Sequence, residues 1–378
     1  MMLRSQAGEA ELAALVTAVC ERAAGLHGDV RDVVTAQVDR VAPLATPAVR
    51  EALIARAVAR LDGLDVLEVH LRDPDVDEVM VNAGRDVWVE RHGTMRLAGH
   101  LPPGAIDVVL ERVLAPTGRR VDRAHPIVDL RLGSGARLCA VIDPIAVDGT
   151  TVTIRQHRPR AYPLEAFARD EAIVPLLHEV VNGRCNLLVS GATSSGKTTF
   201  VAALLQRVDV ADRLVVCEDT AELMLDGRHA VRLQARVASA DGPAAVDLAM
   251  LVRAALRLRP DRLVVGEFRG AEVLAAVEAM NTGHDGSLST CHANSAVDAL
   301  RRVETLLMQA APAWPLAAIR RQVSRSIDIV VHLERDGAGR RAVAEIAEVE
   351  ESDGEPRVRQ LATPDGIAGE LSRRRARR

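Results

Sequence analysis

Residues 185–198 read Cys185-Asn186-Leu187-Leu188-Val189-Ser190-Gly191-Ala192-Thr193-Ser194-Ser195-Gly196-Lys197-Thr198. The first six form the short apolar run of a strand buried on both faces. The last eight are G-x-x-x-x-G-K-[ST], and Thr199 to about Arg207 continues as an amphipathic helix. Strand, glycine loop and helix in that order are the context in which this spacing carries a mechanism. The glycines let the backbone curl, so that N–H groups of Gly191, Ala192, Thr193, Ser194, Ser195 and Gly196, with Lys197, Thr198 and Thr199 at the helix start, converge on phosphate oxygens. Lys197 is placed to reach the β- and γ-phosphates of ATP, and the Thr198 hydroxyl to ligate Mg²⁺.

Working outward, apolar runs at 186–190, 213–218, 262–266 and 286–291 alternate with helical patterns near 197–207, 243–257, 270–281 and 295–310. Such alternation predicts a largely parallel sheet with helices on both faces. Upstream, Val79-Met80-Val81 and Val87-Trp88-Val89 flank the turn-rich Asn82–Asp86, a hairpin pattern. With a helix near 104–115 and strand runs at 137–142 and 150–155, residues 63–157 read as a small α+β domain. Residues 1–62 are helical in pattern, with Pro43 and Pro47 as breaks. The charged, proline-bearing 158–164 reads as a linker. Residues 165–335 form the P-loop ATPase domain, and 336–378 a β-containing extension ending in a basic tail.

Composition narrows the classes. The chain has 378 residues, a formal charge of -4 and 48% hydrophobic residues, which suits a folded chain with a sizeable core. Six aromatics leave little base-stacking surface for single strands, and the balanced charge lacks the basic footprint of a phosphate-backbone binder. Five scattered cysteines without a CxxC pair read as buried small residues of a reducing compartment. The start MMLRSQAGEAEL has no apolar core of a signal peptide, so a cytoplasmic location is expected. Among 48 basic residues, 47 are arginine and one is lysine, and that lysine is Lys197 of the glycine loop.

Three further stretches carry chemistry. Arg262-Leu263-Val264-Val265-Gly266-Glu267 has Gly266 where an ordinary P-loop enzyme carries its magnesium-binding Asp, with Glu267 next, placed to polarise a water. The strand at 214–217 ends in Glu218-Asp219-Thr220-Ala221-Glu222, at the edge where ligands gather in open α/β sheets. Asp219 and Glu222 are the expected metal or water ligands there. His284 and His292 flank the strand-like 286–291 and are candidates for reading the γ-phosphate.

These four stretches resemble the secretion-superfamily traffic ATPases of type II and type IV secretion and type IV pili. There a P-loop, an acidic "Asp box", a Walker B ending in Gly-Glu and a "His box" follow in this order. Arg259–Gly270 and Asn281–Ser287 are similar to the Flp/tight-adherence pilus assembly ATPase branch, as are Asp73–Asn82, Gly118–Asp122 and Gly149–Arg155. The resemblance implies an α/β fold: a RecA-like P-loop NTPase domain preceded by a smaller α+β domain and a helical segment. It implies Glu222 as the Asp-box acid, Glu267 as the Walker B glutamate and His292 as the His-box histidine. Arg137 and Arg155 match arginines that close over the nucleotide phosphates in relatives, and Arg269 is a further candidate. Asp143, Gln234 and the short Val237–Ala245 depart from the family pattern without touching the phosphate machinery.

The resemblance also implies a homohexamer that uses ATP and Mg²⁺ to drive a pilus or secretion machine, with inner-membrane platform proteins as partners. The tail Arg373–Arg378 offers peripheral attraction to an anionic membrane. The alternative is a nucleic-acid-translocating P-loop motor, a helicase or DNA-transfer ATPase, against which the charge and aromatic content stand. No specific nucleic-acid binding is expected.

Overall fold

A computed structural model describes residues 2–26, 28–91, 93–156, 162–225, 227–236, 244–335 and 340–372. The Arg373–Arg378 tail, most of the 158–164 linker and most of Val237–Ala245 lie outside the described residues. The chain divides into two compact units, one of residues up to 156 and one from 162 onward.

In the first unit, α1 (Met2–Ala23), α2 (Val30–Val41) and α3 (Pro47–Asp62) enclose a core of Val19, Val34, Val38, Leu53 and Ile54. Pro47 starts a helix rather than breaking one, because Thr46 caps the N–H of Val49 and a first-turn proline has no N–H to satisfy. A short helix α4 (Glu68–Leu71) leads to β1 (Val76–Asn82), β2 (Asp86–Arg91) and β3 (Thr94–His100), then α5 (Ala105–Leu114). The strands β4 (Ile127–Arg131), β5 (Arg137–Val141) and β6 (Thr151–Arg155) follow. All six pair antiparallel in the order β3-β2-β1-β6-β5-β4. Val79, Leu130, Leu138 and Ile154 bury one face against Ile106 and Leu110 of α5.

The other face is open. Cys139 lies on it between buried Leu138 and Ala140, so this cysteine is exposed, contrary to the expectation of five buried thiols. The alternation of a half-buried strand puts every second residue into solvent whatever its type.

The second unit begins with a 3₁₀ turn, Leu164–Phe167, and α6 (Ile173–Asn182). The elements β7 (Leu187–Gly191), α7 (Lys197–Leu205), β8 (Leu214–Glu218) and β9 (Ala230–Gln234) follow, then α8 (Leu248–Ala255), β10 (Arg262–Val265), α9 (Glu272–Asn281) and β11 (Leu288–Cys291). The chain finishes with α10 (Ala296–Ala310), α11 (Leu316–Ser326), β12 (Ile329–Arg335), β13 (Arg341–Ser352), β14 (Glu355–Thr363) and β15 (Gly366–Ile367). One nine-stranded sheet results, in the order β15-β14-β13-β12-β7-β11-β10-β8-β9. The six strands from β12 to β9 are parallel, and β13 to β15 continue the same sheet antiparallel.

Separate cores cover the two faces. Leu177, Phe200 and Leu204 lie on one; Val252, Val277, Leu300 and Val323 lie on the other. β7, β8, β10 and β11 are buried at every position, which is why β7 and β8 read as mainly apolar runs, although β10 opens on Arg262 and β11 carries Ser289 and Thr290.

Candidate active site at the carboxyl edge of the parallel sheet

The glycine loop leaves β7 at Gly191 and enters α7 at Lys197. Gly191 has φ 153°, and a Cβ on it would lie 2.5 Å from the Leu333 carbonyl oxygen of β12 and 2.5 Å from Ser195 Oγ. Gly191→Ala is therefore expected to destabilise the fold by about 2 kcal/mol or more, read as a lowered denaturation midpoint. Ser194 and Gly196 also have positive φ, 61° and 93°, which lets consecutive N–H groups turn toward one point. Ser195 Oγ is buried with no hydrogen-bond partner among the described residues, an orphan hydroxyl inside the cradle.

Lys197 is 8% exposed and donates from Nζ to the carbonyls of Gly191 and Ala192, both at 2.9 Å. Burial lowers its pKa, partly opposed by Glu267. Its third contact is His292 Nδ1, 3.3 Å away. An ammonium at Nδ1 requires that nitrogen to accept, so the imidazole proton sits on Nε2. That atom is 3.2 Å from Glu267 Oε1. The other carboxylate oxygen of Glu267 accepts from Arg269 Nη2 at 2.7 Å, and Arg269 Nη1 is 3.8 Å from Asp219 Oδ2. The Arg269 pKa is raised, chiefly by its bond to Glu267 and further by the charges of Asp219 and Glu222.

The side chains thus join in the order of the strands that carry them: Lys197 after β7, His292 after β11, Glu267 after β10, Asp219 after β8. Because β11 lies between β7 and β10, the loop strand and the Glu267 strand are about 10 Å apart, two inter-strand spacings. Glu267 is therefore set back from the phosphate cradle, with His292 spanning the interval.

Backbone support comes from groups the motif reading passed over. Glu218 is 3% exposed, and its Oε1 accepts from the N–H of Glu222 and Leu223 at 2.9 and 3.1 Å, fixing the acidic turn. Its Cγ would be 3.1 Å from a Cβ on Gly266, so a side chain at 266 would press on the buried Glu218 side chain that holds the acidic turn. Burial pushes the Glu218 carboxyl up. Glu272 Oε1 accepts from the N–H of Arg269 and Gly270 at 2.5 and 2.7 Å, pinning the segment after Glu267. An acid in the first turn of α9 was the available signal for it. His284, by contrast, precedes β11 and contacts the Ala279 carbonyl at the far end of the strand, so the two histidines do not share a site.

Burial holds the His292 pKa below its ordinary value, with Lys197 adding to the effect. The fold therefore disfavours the imidazolium, while the unfolded chain takes up that proton near pH ~6.5. Stability contributed by neutral His292 is present above that pH and is lost as pH falls below it. His70 and His332, lowered mainly by burial, act with the same sign. His292→Gln should lose less stability than wild type between pH 7.5 and 5.5, measured by urea midpoints.

In the first unit, register places Arg131 opposite Arg137, Arg137 opposite Arg155, and Arg155 opposite Glu78, all on the open face. Arg137 is held bidentately by Asp129 at 3.3 and 3.0 Å. Directly opposed like charges cost stability, and Asp129 and Glu78 on the same face offset part of that cost. Arg131 escaped the sequence reading because strand order, not spacing, aligns it with the others.

Residues 61–372 match the family described as Type II/IV secretion system protein. The chain belongs to that family. This secretion-family chain is an ATPase of secretion or pilus machinery. It is 39% identical over 309 residues to a Mycobacterium tuberculosis protein named for conjugal transfer, covering 78% of this chain and 86% of that one. It is 35% identical to the conjugal transfer protein TrbB of Rhizobium radiobacter, covering 76% and 87%. The pilus retraction motor PilT, solved with bound ADP, shares the fold with TM-score 0.57 at 20% identity, covering 78% of this chain and 85% of that one. Among the described residues, no helix of this secretion-family ATPase is long and apolar enough to cross a membrane.

Proposed function

We propose that this ATPase binds ATP in the Gly191–Thr198 loop and uses Glu267 to orient the attacking water. The observation that carries this is the continuous chain Lys197–His292–Glu267–Arg269 across three strand ends. Lys197 exchanges its loop carbonyls for phosphate oxygens, a compact ammonium fitting where two carbonyls already converge. His292, released from the ammonium, links the γ-phosphate end to Glu267. Arg269 holds one oxygen of the Glu267 carboxylate and His292 the other, and a second lone pair on a carboxylate oxygen serves to orient water.

The Thr198 hydroxyl at the start of α7 and the carboxylates of Asp219 and Glu222 beyond β8 are hard oxygen donors of the kind Mg²⁺ takes, and would be its candidate ligands. When bound it neutralises charge on the β- and γ-phosphate oxygens.

Arg137 and Arg155 of the first unit are phosphate-binding candidates by the family pattern. Arg137→Ala is expected to lower kcat about ten- to a hundred-fold. Arg137→Lys should recover only part of this, because a point charge does not replace a fork.

The working assembly is a homohexamer at the inner membrane that delivers domain motion to platform proteins. The tight-adherence pilus branch is supported by Arg259–Gly270 and Asn281–Ser287, and the relatives' names add conjugal transfer as a second setting. Steady phosphate release with Mg·ATP, unchanged by added DNA, tests the reading. Salt-sensitive stimulation by DNA would move it to a nucleic-acid motor.

A further inference from the structure

The sheet order gives ATP a direction. Hydrolysis requires the γ-phosphate to face His292 and Glu267, which lie after β11 and β10 on one side of β7. The nucleoside end then points to the other side, where β12 and β13 lie. Two features gather there against the glycine loop. Arg341, the first residue of β13, has its Cδ 2.8 Å from the position of a Cβ on Gly196, and Phe167 Cε1 is 3.5 Å from the same point. The Arg341 guanidinium has no ion pair or hydrogen-bond partner among the described residues.

Phe167 is buried and stacks edge-on with Phe200 of α7, ring centroids 5.2 Å apart. Its other neighbour is Tyr162, 6.5 Å away, also edge-on. Tyr162 is 39% exposed. In a chain with only six aromatic residues, three thus cluster beside the P-loop helix, and the chain's one tyrosine presents its ring to solvent.

An aromatic face and an uncommitted guanidinium are the groups that hold a flat heteroaromatic base, by stacking and by cation–π attraction. We infer that Tyr162 and Arg341 form the base-binding subsite, holding the adenine of the nucleotide whose phosphates occupy the Gly191–Thr198 loop. The assignment rests on the P-loop reading above and deepens it.

Binding of ADP and of inorganic tripolyphosphate to the full chain, compared for wild type, Tyr162→Ala, Tyr162→Phe and Arg341→Ala, tests it. ADP affinity is expected to fall roughly ten-fold in Tyr162→Ala and Arg341→Ala and to stay near wild type in Tyr162→Phe. Tripolyphosphate affinity should be unchanged in all three. Unchanged ADP affinity overturns the subsite. Equal losses for ADP and tripolyphosphate also overturn it, because they place these residues at the phosphates.

Tripolyphosphate reports on the loop alone, so a wild-type protein that binds neither probe overturns the P-loop reading itself. The single tyrosine supplies a second readout: ADP, and not tripolyphosphate, should slow nitration of Tyr162 by tetranitromethane several-fold. Equal nitration with and without ADP counts against the subsite.

Discussion

Glu267→Gln is expected to bind ATP about as tightly as wild type and to lose at least about a hundred-fold in kcat. Among the described residues Glu267 has no hydrogen bond to the glycine loop; its bonded route to Lys197 runs through His292, beside a charge attraction that partly holds up the lysine pKa. Affinity, which the loop and Lys197 supply, is therefore nearly independent of its charge. Turnover is not, because an amide cannot take a proton from water. The amide also turns an NH₂ toward Arg269 or His292, both of which donate to the native carboxylate. Titration of ATP with the variant, beside its phosphate release, separates the two effects. Glu222→Gln should cost less, on the order of ten-fold, since the Glu222 backbone is positioned by Glu218 whatever its own side chain is. Wild-type turnover in Glu267→Gln would transfer the water-orienting role to another acid.

The second large effect is Lys197→Arg, which keeps the charge and is expected to weaken ATP at least about a hundred-fold. Lys197 Nζ sits between two carbonyls at 2.9 Å and is 8% exposed, so the space is shaped for a tetrahedral ammonium. A planar guanidinium is broader, cannot converge on the same point, and meets His292, which already touches the lysine ammonium. The other 47 basic residues are arginines, so the chain uses that residue wherever a dispersed charge suffices. The comparison is nucleotide affinity by calorimetry, with thermal midpoints as the control for folding. A Lys197→Arg protein that turns over like wild type would remove the cradle argument. The burial of Lys197 also bears on chemical labelling: amine reagents should modify the N-terminus faster than Lys197 even without nucleotide.

The second unit was largely readable because its chemistry is local. The P-loop places strand, cradle, lysine and hydroxyl within fourteen residues, and fully buried parallel strands advertise themselves as apolar runs. Elements without such a signal were missed. The strand β3 shows only exposed or half-buried positions, so no alternation marks it. The helix α11 has an arginine-rich outer face that hid Ile319 and Val323, its contacts with the core. Glu218 was visible as one acid among three, but nothing local distinguishes the buried one, which packs against Gly266, from its neighbours.

From its residues alone the chain named the candidate groups: the cradle of Gly191–Thr198, the acids Asp219 and Glu222, Glu267 and His292. Along the chain they run P-loop, Asp box, Walker B, His box. In the sheet they run P-loop, His box, Walker B, Asp box. That exchange places His292 between Lys197 and Glu267 and sets the strand that carries Glu267 about 10 Å from the loop strand. Only the tertiary structure could decide it. Strand neighbours are chosen by which long-range pairings bury the most apolar surface on both faces, and each strand's own sequence is equally apolar whichever partner it takes.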